Sequence, residues 1–208
     1  MRIVKRIILW IVTIIILLLI ISMFLKRKVR IERSVIINAP SEVIFNYVNN
    51  LKNWEQWSPW HQKDPNMTIV YEGPESGVKA KFTWDSKNLK LGKGVLLIKD
   101  VKTNELINME LTIGGLKPAE TAFAFEKNDN GTKVTWYINL DMGKNNPIGK
   151  YKSVFAEKRV GKDFEKGLAT LKELVEKLPA KNVSNDSLNI IKPKLADTSS
   201  SIQLNKNP

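Results

Sequence analysis

An uncharged run of 19 mostly apolar residues near the N-terminus constrains this 208-residue chain more than any other feature. Residues 7–25 would form about 28 Å of α-helix, which is close to the hydrocarbon thickness of a bilayer. Trp10 lies near one end of the run, where aromatic residues of membrane helices commonly meet the interface. The sequence therefore predicts a single-pass membrane anchor over residues 1–28, which contacts the lipid bilayer through residues 7–25.

Two other interpretations of this run compete with an anchor. A signal peptide has an apolar segment of about 7–15 residues followed by a cleavage site of small residues. This run is longer, and it ends in the sequence SMFLKRK without such a site. A core helix of a soluble domain is usually polar on one face, which this run is not. We therefore favour the anchor.

The membrane orientation depends on the basic residues that flank the run, because cytoplasmic flanks are enriched in Lys and Arg. Positions 2–6 contain three basic residues, and positions 26–33 contain five basic residues and one acidic residue. The two flanks are nearly balanced. We interpret the soluble domain as cytoplasmic, and the opposite orientation stays open.

The net charge of +12 is unevenly distributed along the chain. Residues 1–33 carry +7, residues 34–178 carry +3 and residues 179–208 carry +2. Most of the excess therefore flanks the apolar run, where Lys and Arg meet anionic lipid headgroups. The nearly neutral middle of the chain argues against a nucleic acid as the partner.

The chain contains no cysteine and a single histidine, His61. Disulfides, thiolate metal ligands and clustered-histidine metal sites are thereby excluded. The sequence predicts neither a metal nor a cofactor. We expect His61 to lie in a surface loop, without an acidic or nucleophilic partner.

The remaining pattern predicts an α+β domain. Alternating apolar residues predict a strand near positions 29–38, and an amphipathic helix follows. A short helical or irregular segment then carries three tryptophans and ends at Pro59. About six antiparallel strands follow, including a hairpin at Asn130-Gly131. A helix of 25–30 residues starts near Pro147, and the curved sheet would wrap around it.

Four segments resemble the START-like superfamily, also called SRPBCC or Bet v 1-like. They are SVIINAPSEVIF at residues 34–45, WEQWSPW at 54–60, GVKAKFTW at 77–84 and GKDFEKGL at 161–168. The last three are similar to the bacterial polyketide cyclase/dehydrase-like subgroup, whose members often have an N-terminal membrane helix.

The resemblance implies a helix-grip domain over residues 29–179, with an apolar cavity between the sheet and the C-terminal helix. It also implies a hydrophobic ligand, such as a lipid, sterol or polyketide. Some relatives carry a further effector-binding domain, for which residues 180–208 are too short. We interpret that polar segment as a disordered tail.

The expected cavity lining consists of large apolar side chains from the sheet, the tryptophan segment and the helix. These are Trp57, Trp60, Phe82, Trp84, Leu96, Met109, Phe123, Trp136, Phe155 and Phe164. The same side chains could instead fill a solid core, because composition does not distinguish the two. Likewise, Trp54, Trp57 and Trp60 form either a cavity mouth or a packing cluster.

The sequence identifies no catalytic residue. The single histidine has no evident acidic or nucleophilic partner, which argues against a histidine-based catalytic dyad or triad, and the strand carboxylates Asp85, Glu110 and Asp141 form no obvious pair. The leading hypothesis is a membrane-anchored binding module for a hydrophobic or amphipathic small molecule. The alternatives are a cyclase/dehydratase-type enzyme for an aromatic or polyketide-like substrate, and a structural or partner-binding domain.

Overall fold

The computed structural model describes residues 2–143 and 146–178. The helices are α1 (Arg2–Phe24), α2 (Ser41–Asn49), α3 (Trp54–Trp57), α4 (Pro59–Lys63) and α5 (Pro147–Glu176), with a 3-10 turn at Leu51–Asn53 before α3. The strands are β1 (Lys28–Ile37), β2 (Thr68–Glu72), β3 (Lys81–Asp85), β4 (Lys93–Lys102), β5 (Leu106–Ile113), β6 (Ala119–Asn128) and β7 (Gly131–Asp141).

The seven strands form one curved antiparallel sheet in the order β1-β7-β6-β5-β4-β3-β2. Consecutive strands from β2 to β7 are neighbours, and β1 closes the other edge by pairing with β7. A register shift between Ile98 and Asp100 interrupts the β4–β5 ladder, and such bulges add local bending. The long helix α5 packs on β1, β7, α3 and α4. The predicted α+β fold, a curved sheet around a long C-terminal helix, is confirmed.

Pro59 has a different role from the one expected. It does not close the tryptophan segment but is the first residue of α4, which carries Trp60 and His61. Proline is well suited to the first turn of a helix, because the N–H that it lacks would have no intrahelical partner there. The segment therefore consists of two short helices joined at Ser58.

Helix α1 is long and apolar enough to cross a bilayer, judged by its length and composition. Its large apolar side chains are exposed along its whole length, so α1 is not a core helix of the domain. The predicted polar tail at residues 180–208 lies outside the described residues.

The inner face of the sheet is apolar. Its side chains Phe82, Leu96, Ile98, Met109, Leu111, Phe123, Phe125, Trp136 and Ile138 are all buried, and Trp84 is half-buried. From α5, Phe164, Leu168, Leu171 and Val175 pack against this face.

The expectation that Phe155 faces the sheet is wrong, because its side chain is 73% exposed. The buried Phe164 lies nine positions further along α5. Nine residues make two and a half helical turns and therefore place the two side chains on opposite faces of α5.

Candidate functional site

Aromatic rings fill the centre of the space between the sheet and α5. The ring of Trp136 stacks on Phe164 from α5, with centroids 4.0 Å apart, and on Phe123, with centroids 4.7 Å apart. Trp54 and Trp57 from α3 meet these rings edge-on. A Cβ built on Gly167 would lie 3.0 Å from Trp136, so α5 approaches the ring closely here. This region is a solid core.

A cavity of about 80 Å³ remains beside this core, between the two short helices and strands β3 to β5. Trp54, Trp60 and His61 line it from α3 and α4, and the inner face of the sheet lines the other side. The remaining lining residues are Met67, Phe82, Trp84, Lys90, Leu91, Leu96, Leu111 and Ile113. The cavity is mainly apolar, as ligand pockets generally are.

The ten expected lining residues divide into three groups. Trp60, Phe82, Trp84 and Leu96 line the cavity. Trp57, Met109, Phe123, Trp136 and Phe164 are buried in the core but do not line it. Phe155 is exposed. The cavity therefore lies nearer the sheet edge than the sequence suggested, and α5 contributes no lining side chain among the described residues.

His61 is buried, with only 8% of its surface exposed, so the expectation of a surface histidine is wrong. Within the part of the chain that the structure describes, neither ring nitrogen has a hydrogen-bond partner. Its ring lies edge-on to Phe82, at a centroid distance of 6.1 Å. Burial lowers the pKa of His61, and the nearby carboxylate of Glu55 opposes that shift only in part. The imidazole is therefore mainly neutral at pH 7, with one donor and one acceptor.

Spacing is the sequence signal that identifies His61. Trp54, Trp57 and His61 are three and four residues apart, which is the spacing of one helical face. The backbone of Ser58, between the two helices, is extended, so the helical phase is not continuous from α3 to α4. The side chains of Trp54, Trp57 and His61 are nevertheless all buried, and each contacts an aromatic ring of the sheet.

Two tyrosines hold α3 in place over the sheet. The hydroxyl of Tyr71 in β2 donates a hydrogen bond to Oε1 of Glu55, and the hydroxyl of Tyr47 in α2 donates one to Oε1 of Gln56 at 2.7 Å. Burial raises the pKa of both tyrosines, and the Glu55 carboxylate raises the pKa of Tyr71 further. Both hydroxyls therefore stay protonated and act as donors.

The β3–β4 loop, residues 86–92, covers one side of the cavity through Lys90 and Leu91. The Ser86 hydroxyl donates to the carboxylate of Asp64, at the end of α4. Arg159 of α5 donates to the backbone carbonyl of Lys90 at 3.4 Å. The loop is thus attached by polar contacts to the elements on either side of it.

The carboxylates considered in the sequence lie elsewhere. Asp85, Glu110 and Asp141 form ion pairs on the outer surface, with Lys93, Lys99 and Arg27 respectively. Over residues 2–143 and 146–178, no three His, Asp or Glu side chains converge as a metal site would require. His61 and Lys90 are the ionisable groups of the described cavity lining.

Comparison with known proteins gives two findings on the chain's relatives. Residues 28–176 match the model of the family described as polyketide cyclase/dehydrase and lipid transport. No curated protein matches the chain in sequence.

Several solved structures share the fold. A protein of unknown function from Staphylococcus aureus has a TM-score of 0.54 at 12% identity, over 72% of this chain and 94% of its own. A protein from Bacillus halodurans has a TM-score of 0.53 at 17% identity, over 73% and 100%. The di-domain ARO/CYC BexL of the BE-7585A biosynthetic pathway has a TM-score of 0.51 at 12% identity, over 74% and 52%.

These identities establish the fold alone, whereas the family match spans most of the chain. It covers the sheet, the cavity and α5, and it confirms the resemblance indicated by the four sequence segments. This chain belongs to the polyketide cyclase/dehydrase and lipid transport family.

Proposed function

We propose that this protein is a membrane-anchored binding protein for a hydrophobic small molecule that carries one polar, oxygen-containing group. The ligand's apolar part would occupy the cavity between α3–α4 and strands β3 to β5. Its polar group would pair with the imidazole of His61. Family membership supports a hydrophobic ligand in general. The cavity of this chain supports the binding position and the pairing of a polar group with His61.

The unpartnered imidazole of His61 is the observation that carries this proposal. Leaving a buried polar group without a partner costs about 1–3 kcal/mol. An apolar side chain would fill the same space among Trp54, Trp60 and Phe82 without that cost. A ligand hydroxyl or carbonyl that pairs with the imidazole would remove the cost of its missing hydrogen bond. Lys90 at the rim would attract a carboxylate end of the same molecule.

The size of the cavity limits what binds without movement. Its 80 Å³ is about half of the roughly 150 Å³ cavity that binds benzene in an engineered protein. A short alkyl group, smaller than a benzene ring, is therefore the largest group that enters with little adjustment. Larger ligands require the β3–β4 loop to move away from α4 and α5, which breaks the contacts of Ser86 and Arg159.

The anchor is part of the same proposal. Helix α1 has the length and apolar composition of a bilayer-spanning helix, and Lys26, Arg27 and Lys28 follow it after Leu25. A tethered domain samples membrane-dissolved molecules at high local concentration, which favours an amphipathic ligand. The cytoplasmic placement of the domain rests on the flanking charges alone.

Native mass spectrometry of the full-length protein, released from detergent, tests the binding proposal. We expect the wild-type protein to retain an adduct in a 1:1 ratio. The Leu96→Trp variant, which fills the cavity from the sheet, should lose it. Met109→Leu is the matched control, because Met109 is buried on the same sheet face but does not line the cavity. An absent adduct, or one that Leu96→Trp retains, would contradict the proposal.

A second candidate function is catalysis of the cyclase/dehydratase type, and His61 is the observation that favours it. A neutral imidazole in an apolar cavity can accept a proton from one part of a substrate and donate one to another. The recovered ligand distinguishes the two functions. A binding protein returns the compound unchanged, whereas an enzyme converts it and loses that conversion in His61→Leu.

A further inference from the structure

The strand register places several loops at the end of the sheet where α1 joins β1. At this end β1, β4 and β6 begin and β3, β5 and β7 finish, as the paired residues of neighbouring strands show. The β3–β4 loop, the β5–β6 turn and the start of α5 therefore lie on the same side of the domain. We call this side the anchor-side end.

The anchor-side end is held close to α1. Only residues 25–27 separate α1 from β1, so the connection spans about 14 Å at most. The Tyr151 hydroxyl of α5 donates to the carbonyl of Leu18 at 2.6 Å, and the ammonium of Lys150 donates to the carbonyl of Ser22 at 3.1 Å. The start of α5 thus lies against the last two turns of α1. Leu18 and Ser22 lie seven and three residues before the end of the apolar run, which is about 10 Å and 5 Å of helix. If residues 7–25 span a bilayer, these contacts therefore place the start of α5 at the headgroups and the outer part of the hydrocarbon.

Unusual apolar exposure marks the same side. Among the described residues outside α1, the four most exposed large apolar side chains are Leu89 at 99%, Phe155 at 73%, Leu116 at 71% and Ile148 at 67%. Leu89 lies in the β3–β4 loop, Leu116 in the β5–β6 turn, and the other two on the first half of α5. All four therefore extend from the anchor-side end or its adjoining helix face.

Basic residues surround these side chains. On α5, the exposed Lys152, Lys158 and Arg159 share the outer face with Phe155, since they lie three or four positions from it. Residues 147–160 contain four basic residues and one acidic residue. Residues 161–176 contain three basic residues and four acidic residues. Apolar tips among Lys and Arg are typical of segments that lie in the interface of an anionic membrane.

We propose that the anchor-side end docks onto the anionic bilayer in which α1 is embedded, with Leu89, Leu116, Ile148 and Phe155 inserted at the headgroup level. This inference rests on the proposed membrane anchoring. Contact with α1 and the basic rim argue for a bilayer as the occupant. Met67, Leu91 and Ile113 of the cavity lining also lie at this end. The docked domain therefore opens its cavity towards the lipid, and an amphipathic ligand passes between them without crossing bulk water.

The absence of cysteine from the sequence permits a direct test by single-cysteine spin labelling. The full-length protein is reconstituted in nanodiscs that contain anionic lipid, with a nitroxide at Leu89→Cys, Leu116→Cys or Phe155→Cys. Collision of the label with oxygen and with a water-soluble nickel complex reports its depth. Val78→Cys is the control, because Val78 is exposed in the β2–β3 connection, away from the anchor-side end.

We expect the oxygen-to-nickel collision ratio at the three tip positions to exceed that at position 78 severalfold, and to fall when the anionic lipid is omitted. Equal ratios at all four positions would overturn the docking proposal. A label at Val12→Cys in α1 distinguishes the anchoring proposal from the docking proposal. If this label is in lipid while the labels at positions 89, 116 and 155 are in water, only the docking proposal fails. If Val12→Cys is in water, the anchoring fails and docking fails with it. Tips shielded from both reagents, with dipolar broadening, would indicate a second copy of the chain instead.

Discussion

Replacement of His61 by leucine should stabilise the ligand-free protein. The imidazole is buried beside Phe82, and neither ring nitrogen has a partner among the described residues. Leucine has a similar volume and no polar atom, so the substitution removes the desolvation cost without opening a cavity. That cost is about 1–3 kcal/mol for an unpaired buried polar group. We expect the free energy of unfolding to rise by about this amount.

The assay is thermal unfolding of the delipidated full-length protein, followed by tryptophan fluorescence. For a chain of this size each kcal/mol corresponds to a shift in Tm of about 2–4 °C. Gln62→Leu is the matched control, because Gln62 is the next residue of α4 and is exposed. It should change the unfolding free energy by less than about 0.5 kcal/mol. An unchanged or lower Tm for His61→Leu would refute the reasoning, since it would mean that the imidazole is already well paired.

The pH dependence of the same pair of proteins is a second consequence of burial. Burial lowers the pKa of His61 in the folded state below its unfolded value of about 6.5. Between the two pKa values the unfolded chain binds more protons, so the folded state loses stability as the pH falls below about 6.5. Leucine has no such dependence. The stability advantage of His61→Leu should therefore widen from pH 7.5 to pH 5.5, and a constant advantage would contradict a lowered pKa.

The solid core yields three further predictions, each measured as the free energy of unfolding in denaturant. Gly167→Ala should destabilise the protein despite the better helix propensity of alanine, because its Cβ would lie 3.0 Å from both Pro59 and Trp136. Gly161→Ala should be neutral or stabilising by up to about 1 kcal/mol, since its Cβ meets only the flexible guanidinium of Arg33; equal effects at both glycines would refute the packing argument. Trp136→Ala should cost about 3–5 kcal/mol, and a cost below 1 kcal/mol would mean that the ring stack is not rigid.

Regular periodicity made most of the fold predictable. The alternation in the strands, the Asn130-Gly131 turn and the helical stripe of Phe164, Leu168 and Leu171 each depend on local geometry. The family segments then selected the helix-grip arrangement among antiparallel sheets with one long helix. The prediction for Phe155 was wrong because apolar character alone does not determine the helical phase, and Phe155 lies half a turn out of phase with Phe164.

The site was less predictable than the fold, for two physical reasons. Whether inward side chains enclose a cavity depends on residual volumes of tens of Å³, which residue identities do not determine. Trp136, Phe123 and Phe164 stack into a solid core, whereas Trp84 and Leu96 on the same sheet border open space. The burial of His61 depends on how α4 joins α3. Pro59 was expected to end the tryptophan segment, but it is the first residue of α4.

Fluorine NMR of the full-length protein labelled with 5-fluorotryptophan tests the location of ligand binding most directly. The six tryptophans include Trp60 and Trp84 at the cavity, Trp57 in the core and Trp10 in α1. We predict that decanol or decanoic acid, which enters as the β3–β4 loop moves aside, shifts the resonances of Trp60 and Trp84 at saturable, equimolar occupancy and that Leu96→Trp abolishes the response. Shifts confined to Trp10, or no saturable shift at all, would contradict binding in this cavity.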